Sequence, residues 1–282
     1  MWIKKALEFL LFSSIFIASC AVAFCMETNI VIGVPFNHFS FYCFVFGATL
    51  AQYNLHYIAK KVAVKNSERL TWSLQNKNIH LILLLAGATL ILYSFFSFHL
   101  KHYAILICLG GIAFLYSFPF LPFGKRRRIK DYGFLKIITL SLLWTLVTVW
   151  FPVNNMDVAT PVFIFVFVKR FIFMFILCLL FDMRDIEIDS NQQINTLAVI
   201  LGRKKSYLLA YILLIVFLIL SFLQYQYYPQ SAFIGAMLIS AIATFFAIEI
   251  TKKSNSDFVY LAGIDGMMLL QALLVYLFSL KQ

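Results

Sequence analysis

Charge is scarce in this sequence, and negative charge is scarcer still. Only 12% of the 282 residues are Asp, Glu, Lys or Arg, with 12 acids against 23 Lys and Arg, whereas a soluble domain carries charge on about 25% of its positions. That shortage excludes a water-soluble enzyme or binding module with an ordinary surface. Cysteine offers no framework either. Cys20, Cys25, Cys43, Cys108 and Cys178 are odd in number and lack CxxC spacing, so neither a disulfide scaffold nor a zinc site is indicated. No internal repeat is visible, which removes the usual signature of a repeat-built transporter.

What fills the chain instead is hydrocarbon: 62% hydrophobic residues, 32 Phe and a mean hydropathy of +0.89. Apolar runs long enough to cross about 30 Å of bilayer recur with short gaps. They predict a single polytopic membrane domain over 1–282, an all-α bundle of nine spans at 6–26, 34–53, 79–98, 102–121, 133–152, 160–181, 205–224, 231–250 and 258–280. "IASC" at 17–20 looks like a lipoprotein cleavage site, but the apolar run continues past Cys20 as a first span does.

Alternation assigns the connecting segments to two sides, and Lys and Arg separate sharply between them. One side collects Lys4 and Lys5, Lys60 to Lys77, Lys125 to Lys130, Arg184 to Lys205, and Lys252 with Lys253; the other has only Lys101 and Lys281. The positive-inside rule then predicts a cytoplasmic N-terminus and cytoplasmic loops at about 54–78, 122–132, 182–204 and 251–257. The net charge of +11 is accordingly a topology signal, with some attraction to anionic membrane lipids. It does not predict nucleic-acid binding, although "KRRRIK" read alone would suggest it.

Four carboxylates break the apolar pattern in "FDMRDIEIDSNQQINTLAVILGRKKS", residues 181–206. On a helix that continues outward from the sixth span, Asp182, Asp185 and Asp189 share one face at i, i+3 and i+7. Three like charges on a stripe call for a cation, and hard oxygen ligands suit Mg2+ bridging to a substrate's phosphates. A solvated helix end pairing with nearby Lys and Arg is the plainer alternative, and spacing alone leaves both open.

"DMRDIEID" followed by "INTLAVILG" resembles the second aspartate-rich motif of the UbiA family of intramembrane prenyltransferases, in spacing and in its place after the sixth span. The resemblance implies a nine-helix UbiA-like fold that transfers a prenyl group from an isoprenoid diphosphate to an aromatic or other lipophilic acceptor. By position, Asp182, Asp185 and Asp189 would be catalytic and hold Mg2+, with Thr196, Leu197 and Gly202 shaping the loop. "YSFPFLPFGKRRRIKDYGFLK", residues 116–136, is similar to the family's Tyr-Pro…Lys-Arg segment, which would bring Tyr116, Lys125 and Arg126 to the diphosphate.

The family's first acidic motif is where the sequence departs. At "NLHYIAKKV", residues 54–62, Asn54 is kept, but Leu55, Ile58 and Val62 stand at the aspartate positions. Lys60 and Lys61 are candidate replacements, since fixed cations stabilise a departing diphosphate much as a metal does. The same loss also allows a UbiA-like protein that binds isoprenoid or lipid without turnover. Within the spans, Lys169, Arg170 and Asp265 lie at similar depth and are expected to pair across the bundle interior. Those three charges are the one feature that favours a transporter.

Overall fold

The computed structural model describes residues 2–59, 67–98, 100–117, 133–154, 156–228 and 231–280, and all regular structure among them is helical. In chain order the helices are α1 Trp2–Phe12, α2 Ile15–Ile32, α3 Phe39–Ala59, α4 Glu68–Gln75, α5 Lys77–Phe95, α6 Leu100–Ser117, α7 Gly133–Thr145, α8 Phe151–Val153, α9 Thr160–Arg184, α10 Ile186–Asn191, α11 Leu197–Tyr227, α12 Ser231–Thr251 and α13 Gly266–Ser279. Two π-helical turns interrupt the series, at Leu146–Trp150 and Val259–Ile264.

Among the described residues, seven segments are long and apolar enough to cross a membrane: Ile15–Ile32, Lys77–Phe95, Gly133–Val153, Thr160–Arg184, Leu197–Tyr227, Phe233–Thr251 and Val259–Ser279. Helices α3 and α6 stand where two further spans were expected. The last turns of α3 carry Gln52, Asn54 and His56, and the apolar part of α6 is limited to His102–Tyr116. Outward-facing Leu81, Ile82 and Leu85 on α5, and Ile212, Ile215 and Ile219 on α11, are exposed in the way a lipid-facing surface is.

The first expected span, 6–26, is displaced. The chain breaks at Ser13 and Ser14, both fully buried, with Ser14 in the left-handed region at φ 70°. Tertiary hydrogen bonds hold the break open: Asn54 Nδ2 donates to Ser13 O at 3.1 Å, and Arg69 Nη2 donates to Ser14 Oγ at 3.0 Å. The membrane-length helix therefore starts at Ile15 and carries Glu27 inside the bundle.

Helix α3 packs along α5, α9 lies between α7 and α11, and α2 contacts α3 and α13. Gly47 and Gly87 make the α3–α5 crossing close, since a Cβ on either would meet the other's carbonyl oxygen at 2.8 or 2.6 Å. Phe24, Phe173 and Phe217 form a central aromatic column with centroid separations of 6.0 and 5.6 Å. A π turn frees carbonyls from the helical ladder, and α2 satisfies two of those at Leu146–Trp150. Thr28 donates its hydroxyl to Thr148 O at 2.6 Å, and Cys25 its thiol to Val147 O at 3.5 Å.

Asp265 does not pair with Lys169 or Arg170 as the sequence suggested. It follows the second π turn, its N–H closing back on Tyr260 O at 3.0 Å, and the cations whose fields reach it are Arg69 and Arg184. Arg170 instead meets Glu27, with Nη2 and Oε2 2.9 Å apart, while its guanidinium lies 3.5 Å from the centroid of Phe24. Gln271 completes the group by donating from Nε2 to Glu27 Oε1 at 2.9 Å. Glu27 takes the place expected of Asp265 because the helix that starts at Ile15, and not at residue 6, carries it inside the bundle opposite Arg170.

Helix α7 starts under steric constraint. A Cβ at Gly133 would fall 1.6 Å from Asn195 O, so only glycine lets the first turn of α7 lie against the chain leading into α11. Gly133→Ala is expected to destabilise the protein by about 1–3 kcal/mol, the usual range for overpacking, seen as a lower Tm in detergent.

Candidate functional site

The acidic stretch sits where α9, α10 and the start of α11 meet the first turn of α7. Helix α9 opens with Pro161 at its first turn, where a missing N–H does no harm, and ends at Arg184. Asp185 follows at φ −90°, ψ 6°, a break that starts the short α10 in a new direction. The face shared by i, i+3 and i+7 therefore does not persist, and the three aspartates divide.

Asp182 and Asp189 stay together, both buried, with the Lys136 ammonium between them. Lys136 Nζ is 2.8 Å from Asp182 Oδ1 and 3.2 Å from Asp189 Oδ2. Thr196, fully buried, caps α11 by accepting from Val199 N at 3.4 Å, and its hydroxyl also hydrogen-bonds Asp189. Burial pushes the Asp189 carboxyl above the usual carboxylate range, against the pull of the Lys136 charge and of the hydrogen bonds from Lys136 and Thr196.

Asp185 turns to another partner. Arg184 grips it with Nε to Oδ1 at 2.9 Å and Nη2 to Oδ2 at 3.4 Å, and reaches Asp257 Oδ1 with Nη1 at 3.2 Å. Asp257 in turn accepts from Ser67 Oγ at 3.0 Å and from Arg69 N at 2.9 Å, which fixes the N-terminus of α4. This second network ties the end of α9 to α4 and to the turn before Val259.

Two acids and one ammonium leave the Asp182–Asp189 pair with unbalanced negative charge, and Asp182 Oδ2 is buried without a hydrogen-bond partner. An unpartnered carboxylate oxygen of this kind suits a hard divalent cation, which needs only one or two protein carboxylates when phosphates supply the rest. The pair fits such an ion, whereas Asp185, held by Arg184, does not converge with it. Among the described residues no three His, Cys, Asp or Glu side chains form a metal-binding group.

The other expected site residues fare differently. Tyr116, at the end of α6, lies within electrostatic reach of Lys136, Asp182 and Asp189. Asn54 is fully buried and engaged on every side: Nδ2 donates to Ser13 O and to Leu50 O at 2.8 Å, and Oδ1 is 2.6 Å from His80 Nδ1. It is a structural link between α3, α5 and the Ser13–Ser14 break. Lys60, Lys61, Lys125 and Arg126 lie outside the described residues. Lys136 was missed because it reads as part of the fifth apolar run; a lone Lys in the first turn of such a run was the available signal. Gly202 interrupts α11 at φ 72°, ψ 164°, a conformation that only glycine adopts readily.

A model of the UbiA prenyltransferase family matches residues 73–260, about two thirds of the chain. A search of curated proteins found no match. Among solved structures, a UbiA homolog from Archaeoglobus fulgidus bound to GPP and Mg2+ is similar with a TM-score of 0.59 at 12% identity, over 96% of this chain and 99% of that one. The apo structure of a UbiA homolog from Aeropyrum pernix K1 gives 0.63 at 11% identity, over 92% and 97%. A structure of digeranylgeranylglyceryl phosphate synthase gives 0.58 at 17% identity, over 99% and 100%. At these identities the likeness is one of fold.

Proposed function

Because the chain belongs to the UbiA prenyltransferase family, we propose that this integral membrane protein binds an isoprenoid diphosphate at Asp182 and Asp189 and transfers its prenyl group to a lipophilic acceptor. The observation that carries the reading is the buried acid pair with its unpartnered Asp182 oxygen. The solved homolog bound to GPP and Mg2+ supports the same ligand class and ion. Mg2+ held there would supply charge to stabilise the departing diphosphate.

The chain's own residues do the rest. Asp182 and Asp189 set the position of the cation. Lys136, already between them, is close enough to donate to a phosphate oxygen once that space is shared, and Thr196 fixes the Asp189 carboxylate. Arg184 keeps Asp185 out of the pair. Tyr116 borders the same space, and by the sequence resemblance Lys60, Lys61, Lys125 and Arg126 would add further cations to the diphosphate. The proposed arrangement has nine spans, with α3 and α6 among them, and the acid end on the cytoplasmic side of a bacterial inner membrane. The asymmetry of Lys and Arg between the two sides supports it.

Binding without turnover is the second reading, favoured by Leu55 and Ile58 at the first motif's acidic positions and by the full engagement of Asn54. Geranyl diphosphate added to the purified chain in detergent is expected to bind saturably with Mg2+ and to lose affinity in EDTA. Release of diphosphate when membrane lipid extract is added then separates transfer from binding alone. Absence of binding in every condition, with the fold intact, would remove both readings.

A further inference from the structure

A second polar site lies at the other end of the bundle. A cavity of about 90 Å³ opens between the last turns of α2 and α11 and the first turns of α9 and α12. Val31 and Met237 line it with hydrocarbon, Lys169, Ser221 and Gln224 with polar groups, and Tyr225 and Tyr228 stand where α11 ends. Lys169 precedes Asp182 by thirteen residues on α9, about 20 Å at the helical rise. The cavity is therefore distinct from the acid cluster and faces the opposite membrane surface.

Its electrostatics are unbalanced. Lys169 and Arg170 bring two cations into the bundle, and among the described residues Glu27 is the carboxylate whose charge acts on both. Glu27 is already committed, with Oε2 against Arg170 and Oε1 accepting from Gln271. Lys169 is 6% exposed. Among the described residues no hydrogen bond or ion pair engages its amine, which stands 6.0 Å from the centroid of the Phe217 ring. Gln224 is also buried, with Oε1 unpartnered. Ser221 donates to Phe217 O at 2.7 Å, which leaves its oxygen free to accept.

An ammonium in hydrocarbon without a counter-ion is costly and usually faces a charged partner or a ligand path. Here the Lys169 ammonium and the Gln224 amide, which carries donors on Nε2 and no partner on Oε1, converge on a cavity otherwise walled by apolar side chains. Ile32, Val162 and Ile234 complete its apolar wall. We propose that this cavity binds the carboxylate head of a single-chain amphiphile entering from the leaflet opposite the acid site, with Lys169 as its counter-ion and Gln224, its amide turned so that Nε2 donates, as its second polar contact. The site does not depend on the reading of Asp182 and Asp189.

The test uses the full chain in non-ionic detergent, with radiolabelled oleate as the probe. Native protein is expected to bind oleate saturably, Lys169→Met to weaken that binding roughly tenfold or more, the worth of one charged contact, and Gln224→Leu to weaken it less. Oleyl alcohol, which lacks the charge, should not distinguish native protein from Lys169→Met, and inorganic phosphate should not compete. Elution as the native species and an unchanged Tm in detergent serve as the fold control. Equal oleate binding in the native chain and both variants would overturn the site; competition by inorganic phosphate would overturn its lipid origin. If Lys169→Met does not purify, Gln224→Leu decides alone, and an unchanged affinity there counts against the proposal.

Discussion

Asp182→Ala is expected to weaken Mg2+-dependent binding of geranyl diphosphate by roughly 10–100-fold, while Asp185→Ala changes it several-fold at most. A charged hydrogen-bonding contact is worth about 1.5–3 kcal/mol, and each 1.4 kcal/mol is about a factor of ten. Asp182 is buried, shares Lys136 with Asp189 and carries the unpartnered oxygen. Asp185 spends both oxygens on Arg184. The contrast between the two is the informative quantity, because three equivalent ligands would make the variants equally defective. Equal losses would mean that Asp185 leaves Arg184 to join the ion; an unaffected Asp182→Ala, measured on protein that elutes as native, would remove the acid pair from the site.

The second large effect concerns folding. Arg170→Met is expected to destabilise the bundle by about 3–5 kcal/mol, the cost of stranding one member of a buried ion pair. Glu27 would keep only its hydrogen bond from Gln271, and Phe24 would lose the guanidinium stacked on its ring. Thermal unfolding in detergent reads this directly. The double variant Arg170→Met with Glu27→Leu should recover most of the loss, since removing both charges together is often close to neutral. A single variant as stable as the native chain would show that the pair contributes nothing to the fold.

Much of this arrangement could be read from residue order. Long apolar runs announced the membrane helices because each needs about 20 residues of hydrocarbon, and the acidic stretch stood out against them. The internal geometry was less legible. The break at Ser13 and Ser14 depends on Asn54 and Arg69, which are distant in sequence, and a hydropathy window averages across it. The stripe formed by Asp182, Asp185 and Asp189 presumed an unbroken helix, whereas α9 stops at Arg184 because that side chain is drawn to Asp185 and Asp257. Lys136 was hidden by its apolar neighbours, and its role exists only because Gly133 lets α7 approach Asn195. Local periodicity records which face a residue takes, not which distant group will meet it there.

The two π turns are places where the chain can change length by one residue without turning the helices on either side. Each holds one residue more than an α-helical path would use, and each residue turns a helix by about 100°. Removing a single residue within Leu146–Trp150 would return the segment to an α-helical path with Lys136 and the residues facing α2 on their present faces, and would withdraw the carbonyls of Val147 and Thr148 from Cys25 and Thr28. At Val259–Ile264 the same deletion would leave Asp257 facing Arg184 and Gln271 facing Glu27 while closing the Asp265 N–H to Tyr260 O bond into the α-helical ladder. Drift in length is thus tolerated by the flanking faces at these turns, and what ties the first of them to its surplus residue is the hydroxyl and thiol of α2 that its freed carbonyls accept from.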